Sequence, residues 1–297
     1  MKTKPHKRRR WLWIVLGFLT TLFIATAIGA NYLWNNIQTN NPTSPKNQER
    51  PANPATDPVT VLLLGVDKRP NNPGRADAIH LIHLDPRGKT VKMLAFPRDS
   101  YVEVPSHGTT KINHSYAYGG SPLVTKTVGN LLDIPIDGYI EVNMEGFRAI
   151  VDQLGGITVD TPFDFQFGGH EFHRGPMHLD GKQTLDFVRM RKADREGDIG
   201  RIKRGQIALK GIYHKALSLE NAHLTPALLL ELSHHIKTDL PLTQLYNLYG
   251  TYIQTKENLH IQPLHLTGKS ARINGASVQQ IDPEELKKIR DTLTENQ

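Results

Sequence analysis

The 297-residue chain contains no cysteine. Disulfides, thiolate nucleophiles and cysteine-based metal sites are therefore excluded. It also has no HExxH motif and no HxH ladder, although it carries 14 histidines. His80 and His83 fall three apart on an expected strand, out of phase with each other, so scattered structural histidines explain the pattern better than a zinc site. A basic excess is missing from most of the chain as well. The formal charge is +7, but residues 1–10 alone hold Lys2, Lys4, Lys7, Arg8, Arg9 and Arg10. That leaves 30 basic against 29 acidic groups in the other 287 residues. Counterion release on nucleic acid needs a broad basic face on the folded domain, so a nucleic-acid partner is not expected. No internal repeat is visible.

Charge is also absent between Arg10 and Lys46. The run "WLWIVLGFLTTLFIATAIGANYLW" (Trp11–Trp34) supplies the ~20 apolar residues that a membrane-crossing helix requires. Trp11 and Trp13 flank one end and Tyr32 and Trp34 the other, as the two water–lipid interfaces favour. With the basic decapeptide ahead of it, the span predicts a cytoplasmic N-terminus and everything after Trp34 outside the cell membrane, a single-pass topology. A cleaved signal peptide is the rival reading, given the small residues of "ATAIGA". The apolar run exceeds a typical h-region, which favours an uncleaved anchor. Residues 35–58, rich in Asn, Pro, Thr and Gln, read as an extended extracellular tether.

From residue 59 onward, strands and helices alternate. "VTVLLLG" (Val59–Gly65) reads as a buried central strand. Ala78–Asp85 and Lys89–Phe96 read as the next two, joined by the turn at Pro86–Gly88. Helices are expected at Ser121–Ile134, after Asn143, after Asp180, at Ile199–Leu219, Pro226–Ile236, Leu242–Lys256 and Pro283–Thr294. Tyr139–Val142, Ile157–Asp160 and Leu259–Leu266 read as strands, and Gly168–Gly169 as a hairpin turn. The pattern predicts an α/β fold: a central mixed sheet with helices on both faces, an αβα sandwich preceded by one transmembrane helix.

Four stretches could carry chemistry. In "GVDKRPNNPGRADAIH" (Gly65–His80), Asp67 follows a buried strand, and Arg75 and Asp77 precede the next. Two carboxylates and an arginine at strand ends can hold Mg²⁺ beside a phosphate, or can simply cap a turn and pair in an exposed loop. In "FPRDSYV", Arg98 and Asp99 leave a neighbouring strand at the same rim, as ligands or as a surface ion pair. "TKINHSYAYGG" offers Lys111 and two tyrosines to a phosphate or sugar, or else is a loop pinned by tyrosines. "RMRKADREGDIGRIKRGQ" (Arg189–Gln206) packs five arginines and two lysines among three acids. Arg189 and Arg191 point alike only if the chain is extended there. Arg201 and Arg204 share a helix face. Planar guanidinium forks suit phosphate oxygens. The alternative is a solvated helix whose cations pair with Asp194, Glu196 and Asp198.

Taken together, "VLLLGVDKR", "GRADAI", "AFPRDSYVEVP", "KINHSYAYGG", "IVDQLGGITVDTP", "HLDGKQTLDFVRMRK" and "GDIGRIKRGQ" resemble the LytR–CpsA–Psr family, in order, across Val61–Gln206. The resemblance implies that residues 59–297 form an extracellular catalytic domain. It also implies a membrane-anchored phosphotransferase that moves a glycopolymer, such as teichoic acid or a capsular polysaccharide, from a polyprenyl-pyrophosphate carrier to peptidoglycan. Asp67 and Asp77 are then the carboxylates for Mg²⁺, with Mn²⁺ as an alternative. Arg75, Arg98, Arg189, Arg191 and Arg201 are the pyrophosphate-binding arginines, and Lys111 and Arg204 match motif positions. Asp99 is the candidate general base. The chain departs from the family at Ala76, where Ser is usual, and at Gly205, where Gln is usual and Gln206 follows as a substitute. A lipid chain requires an apolar opening between sheet and helices. The rival functions are a hydrolase using the same site and a non-catalytic envelope regulator or scaffold.

Overall fold

The computed structural model describes residues 34–39, 57–69, 72–218, 233–241, 244–245 and 260–295. The expected membrane span and most of the tether lie outside them, as do most of the helices expected over 226–236 and 242–256. No described helix is long and apolar enough to cross a membrane.

In chain order the elements are β1 (Val59–Arg69), β2 (Asn72–Asp85), β3 (Thr90–Phe96), β4 (Tyr101–Val104), β5 (Gly108–Lys111), α1 (His114–Leu132), β6 (Gly138–Asn143) and α2 (Met144–Gln153). There follow β7 (Ile157–Thr161), β8 (Phe165–Phe167), β9 (His170–Phe172), β10 (Gly175–Leu179), α3 (Gly181–Arg189) and α4 (Asp198–Ser218). The last are β11 (Ile236–Thr238), β12 (His260–His265), β13 (Gly268–Ile273), β14 (Ala276–Ile281) and α5 (Pro283–Thr294). Six strands form the central sheet in the order β11-β6-β1-β2-β3-β12. It is mixed: β1 runs parallel to β6 and antiparallel to β2, and β3 runs parallel to β12. The expected central mixed sheet with helices on its faces is therefore present, with β1 central and apolar because both of its faces are covered.

Strand alternation gives the sheet two different faces. Leu62, Leu64, Ile79, Leu81, Leu94 and Phe96 face Val124, Val128 and Leu132 of α1 and Ile289 and Leu293 of α5 in one sealed core. The opposite face meets α2, α3 and α4. These helices have a second core of their own, in which Val151, Phe187 and Ala208 pack on Ile157, Val159, Phe165 and Phe172.

Local signals set several ends. The Asn143 side chain accepts from Gly146 N at the start of α2. Asp180 and Gln183 close a capping box on α3, and Asp282 caps α5 with Pro283 in its first turn. Gly168 and Gly169, both at positive φ (64° and 83°), turn the β8–β9 hairpin.

Four expectations need correction. Helix α1 starts at His114 rather than at Ser121. It breaks at Gly119 and Gly120, the latter at φ 63°, and the Ser121 hydroxyl donates to buried Glu141 at 2.6 Å. Ile236 opens the edge strand β11 instead of closing a helix. The hairpins β4–β5 and β13–β14 were not expected. The tether is docked at its beginning: Thr39 N donates to Thr238 O at 2.8 Å, and its hydroxyl bonds the Tyr139 hydroxyl at 2.6 Å.

Candidate active site

The sheet face beneath α2, α3 and α4 is not filled. A cavity of about 390 Å³ lies there. Leu63, Phe147, Leu185, Val188, Ile202 and Leu209 make its interior apolar, and the opening expected between sheet and helices is present. Its mouth is charged and opens where β1, β6 and β3 end. All three run in the same direction, so their carboxyl ends share one rim, the usual place for ligands in α/β sheets.

Six sequence-predicted residues meet at this mouth: Asp67, Asp77, Arg98, Arg189, Arg191 and Arg201. A β-bulge brings Asp77 there. Gly65 pairs with Ala78 and Val66 with Ala76, so Asp77 is the extra residue between two registers. Bulges re-aim side chains in this way, and here Asp77 and Ala78 both line the cavity although they are consecutive. Gly65 permits the close approach, because a Cβ there would lie 3.0 Å from the Ala78 Cβ.

Arg98 Nη1 donates to Asp77 Oδ1 at 2.8 Å. Its Nε is buried without a hydrogen-bond partner, 4.0 Å from Asp99 Oδ2. Burial works against the Arg98 charge, but the hydrogen bond and charge of Asp77, with Asp198 and Asp99, raise its pKa above the ordinary arginine value. Arg201 shows the opposite balance. Burial, aided by repulsion from Arg98 and Arg191, lowers its pKa despite Asp198 and Asp77. Crowded cations of this kind are relieved by an anion. Arg189 closes α3, and the chain continues through Met190 in an extended conformation (φ −57°, ψ 137°), so Arg189 and Arg191 both reach the mouth.

Asp198, expected as a pairing partner at the start of α4, stands behind two of these arginines without lining the cavity. It accepts from Arg201 Nη2 at 3.1 Å and lies 3.8 Å from Arg191 Nε. Its place at the start of α4 was the available signal.

Arg75, Asp99 and Lys111 stand beside the cavity without lining it. Arg75 is exposed and opposite Asp67 in the strand register. Lys111 Nζ donates to Asp99 Oδ1 at 2.8 Å, and Asp99 Oδ2 lies 4.0 Å from Arg98 Nε.

Arg204 and Gln206 are corrections: neither reaches the mouth. Arg204 is fully buried. Its Nε donates to Phe187 O at 3.0 Å, Nη2 to Met190 O, and Nη1 pairs with Asp194. Every arm of the fork is used to pin the Phe187–Asp194 segment onto α4. Gln206 turns to the sheet edge, where its Nε2 donates to Met93 O and Leu264 O, each at 3.0 Å. It therefore does not replace a side chain at position 205. Pairs to Asp194, Glu196 and Asp198 form as well, but only Lys203–Glu196 is solvated; Arg204–Asp194 is buried and Arg201–Asp198 largely so.

Among the described residues, no group of three or more His, Cys, Asp or Glu could cage a metal. Asp67 and Asp77 at one mouth fit an ion that takes one or two carboxylates and completes its shell with water and phosphate oxygens, as Mg²⁺ does.

Fold and site together define an α/β protein with an apolar cavity behind an arginine-rich, carboxylate-bearing mouth. The LytR_cpsA_psr family model matches residues 25–295, and the chain belongs to that family. It is 34% identical over 305 residues to the polyisoprenyl-teichoic acid–peptidoglycan teichoic acid transferase TagU of Bacillus subtilis strain 168, covering 100% of this chain and 99% of that protein. Among solved structures it is similar to TagT bound to LIIa-WTA, with TM-score 0.72, 30% identity and coverage of 86% of this chain and 96% of that one. It is also similar to YwtF (TagT) with bound octaprenyl pyrophosphate lipid, with TM-score 0.68, 28% identity and coverage of 87% and 98%.

Proposed function

We propose that this chain is a membrane-anchored phosphotransferase. It transfers an anionic glycopolymer, of the teichoic acid or related polysaccharide class, from a polyprenyl-pyrophosphate carrier to peptidoglycan. The observation that carries this reading is one continuous cavity with an apolar interior and a mouth lined by Arg98, Arg189, Arg191 and Arg201. An isoprenoid chain suits the first part and a diphosphate the second. The names of the related transferase and of the lipid-bound structure support the same substrate class.

In this reading the arginines hold the diphosphate oxygens, and Arg98 is oriented by Asp77. An anion at the mouth would offset the repulsion that Arg98 and Arg191 exert on buried Arg201. A sugar hydroxyl of peptidoglycan forms a bond to the phosphorus nearest the polymer. The bond from that phosphorus to the bridging oxygen breaks, and polyprenyl phosphate leaves with its charge met by the arginines. Asp99, beside Arg98 and steadied by Lys111, receives the hydroxyl proton. Asp67 and Asp77 would hold Mg²⁺, which when bound supplies polarisation of phosphoryl oxygens. The anchor at residues 11–34 keeps the domain beside the bilayer that holds the carrier.

The test is product analysis with lipid-linked polymer, with and without peptidoglycan. Polymer joined to peptidoglycan supports transfer. Free polymer released equally fast in both reactions would establish a hydrolase, and no turnover in either would favour a regulator or scaffold.

A further inference from the structure

One polar side chain in the cavity wall has no role in the scheme above. His80 lies on β2 and lines the cavity two residues beyond Ala78. It is 7% exposed, and its Nδ1 is buried with no hydrogen-bond partner. Native proteins keep few such atoms, because each forfeits its hydration without replacement.

Gly205 faces the ring from α4. A Cβ built there would lie 3.4 Å from His80 Nε2 and 3.6 Å from Cε1. Arg201 is four residues earlier, so both positions fall on one stripe of the helix and both line the cavity. The imidazole therefore sits where the charged mouth gives way to the apolar interior. Burial, then the charges of Arg201 and His265, lower its pKa to about 4. It is neutral at physiological pH and keeps one donor and one acceptor.

Resting on the phosphotransferase reading, we propose that His80 is a substrate-binding residue. It donates a hydrogen bond to the phosphate nearest the polyprenyl chain, across the gap that Gly205 leaves open. This placement also accounts for the departure at position 205. A glutamine there would start in van der Waals contact with the ring and reach into the same part of the cavity, so either side chain can supply the polar contact.

The experiment is calorimetric titration of the full chain with octaprenyl pyrophosphate at pH 7.5. His80→Leu removes the donor while keeping an apolar side chain, and it is expected to weaken binding roughly tenfold to a hundredfold, the range for a hydrogen bond to a charged group. The double variant His80→Leu with Gly205→Gln is expected to recover most of that loss. His80→Leu binding within twofold of the parent, with an undiminished melting temperature, would overturn the proposal. So would a double variant no tighter than His80→Leu alone. Failure of the parent chain itself to bind would instead overturn the reading on which the proposal rests.

Discussion

The two faces of the central sheet are built from the same strands and have opposite fates. On one face Leu62, Leu64, Ile79, Leu81, Leu94 and Phe96 are at most 2% exposed and packed against α1 and α5. On the other, the neighbouring residues include Gly65, Ala78 and His80, and a cavity replaces the core. The difference shows how a layered fold can keep an apolar space beside a packed core. Small side chains remove volume from the sheet, and the covering helices are kept from collapsing by a separate core and by the Arg204 fork. The sealed face carries stability, and the open face holds the cavity proposed to take the lipid diphosphate.

The largest test contrasts two arginines three residues apart. Arg204→Met leaves the buried Asp194 carboxylate without its partner and is expected to cost about 3–5 kcal/mol in denaturant unfolding. Arg201→Met is expected to lower turnover by ~10²–10³-fold, as for a lost transition-state donor, with stability unchanged or raised. Equal destabilisation by both would erase the contrast. The next test compares leucines. Leu62→Ala on the sealed face should cost about 2–5 kcal/mol, whereas Leu209→Ala, already bordering the cavity, should fall below that range in the same assay.

The third test is pH. Each face holds a histidine whose pKa is lowered to about 4. For His80 the causes are burial, Arg201 and His265. For His83, bonded to Thr60, burial and Lys92 outweigh Asp85. The unfolded chain takes up these protons near pH 6.5 and the folded chain only near 4, so stability present above pH 6.5 is lost as pH falls toward 4. About 2 kcal/mol per histidine is expected at most between pH 7 and 5. His80→Leu should flatten the slope in pH-dependent melts, and an unchanged slope would contradict the assignment. The smallest stability effect is Gly205→Leu. It should change melting by less than about 1 kcal/mol, since leucine suits a helix better than glycine, while octaprenyl pyrophosphate binding falls at least tenfold.

Much of this arrangement was legible in the residues. The apolar run of β1 announced a central strand, Asp180 and Asp282 announced helix starts, and the Arg189–Arg201 stretch announced the cluster of guanidinium groups that lines the mouth. What escaped depended on geometry that no spacing rule carries. The bulge at Ala76–Ala78 changes register by one residue, and that slip aims Asp77 and Ala78 together. Arg201 and Arg204 share a nominal helix face, yet three residues turn 300°. The 60° that remain separate the cavity from the buried Phe187–Asp194 segment. Gln206, five residues from Arg201, falls on the far side and bonds the sheet edge. His80 was dismissed with the other histidines, because only the packed helix reveals what its face meets. The short hairpins β4–β5 and β13–β14 have too few apolar residues to signal by periodicity.

The most direct measurement is a crystal structure of residues 35–297 soaked with octaprenyl pyrophosphate. The expected result is the diphosphate within hydrogen-bonding distance of Arg98 and Arg201, and the isoprenoid chain between the sheet and α2, α3 and α4, past His80 and Gly205. A diphosphate bound away from these arginines, or a lipid lying outside the open face, would contradict it.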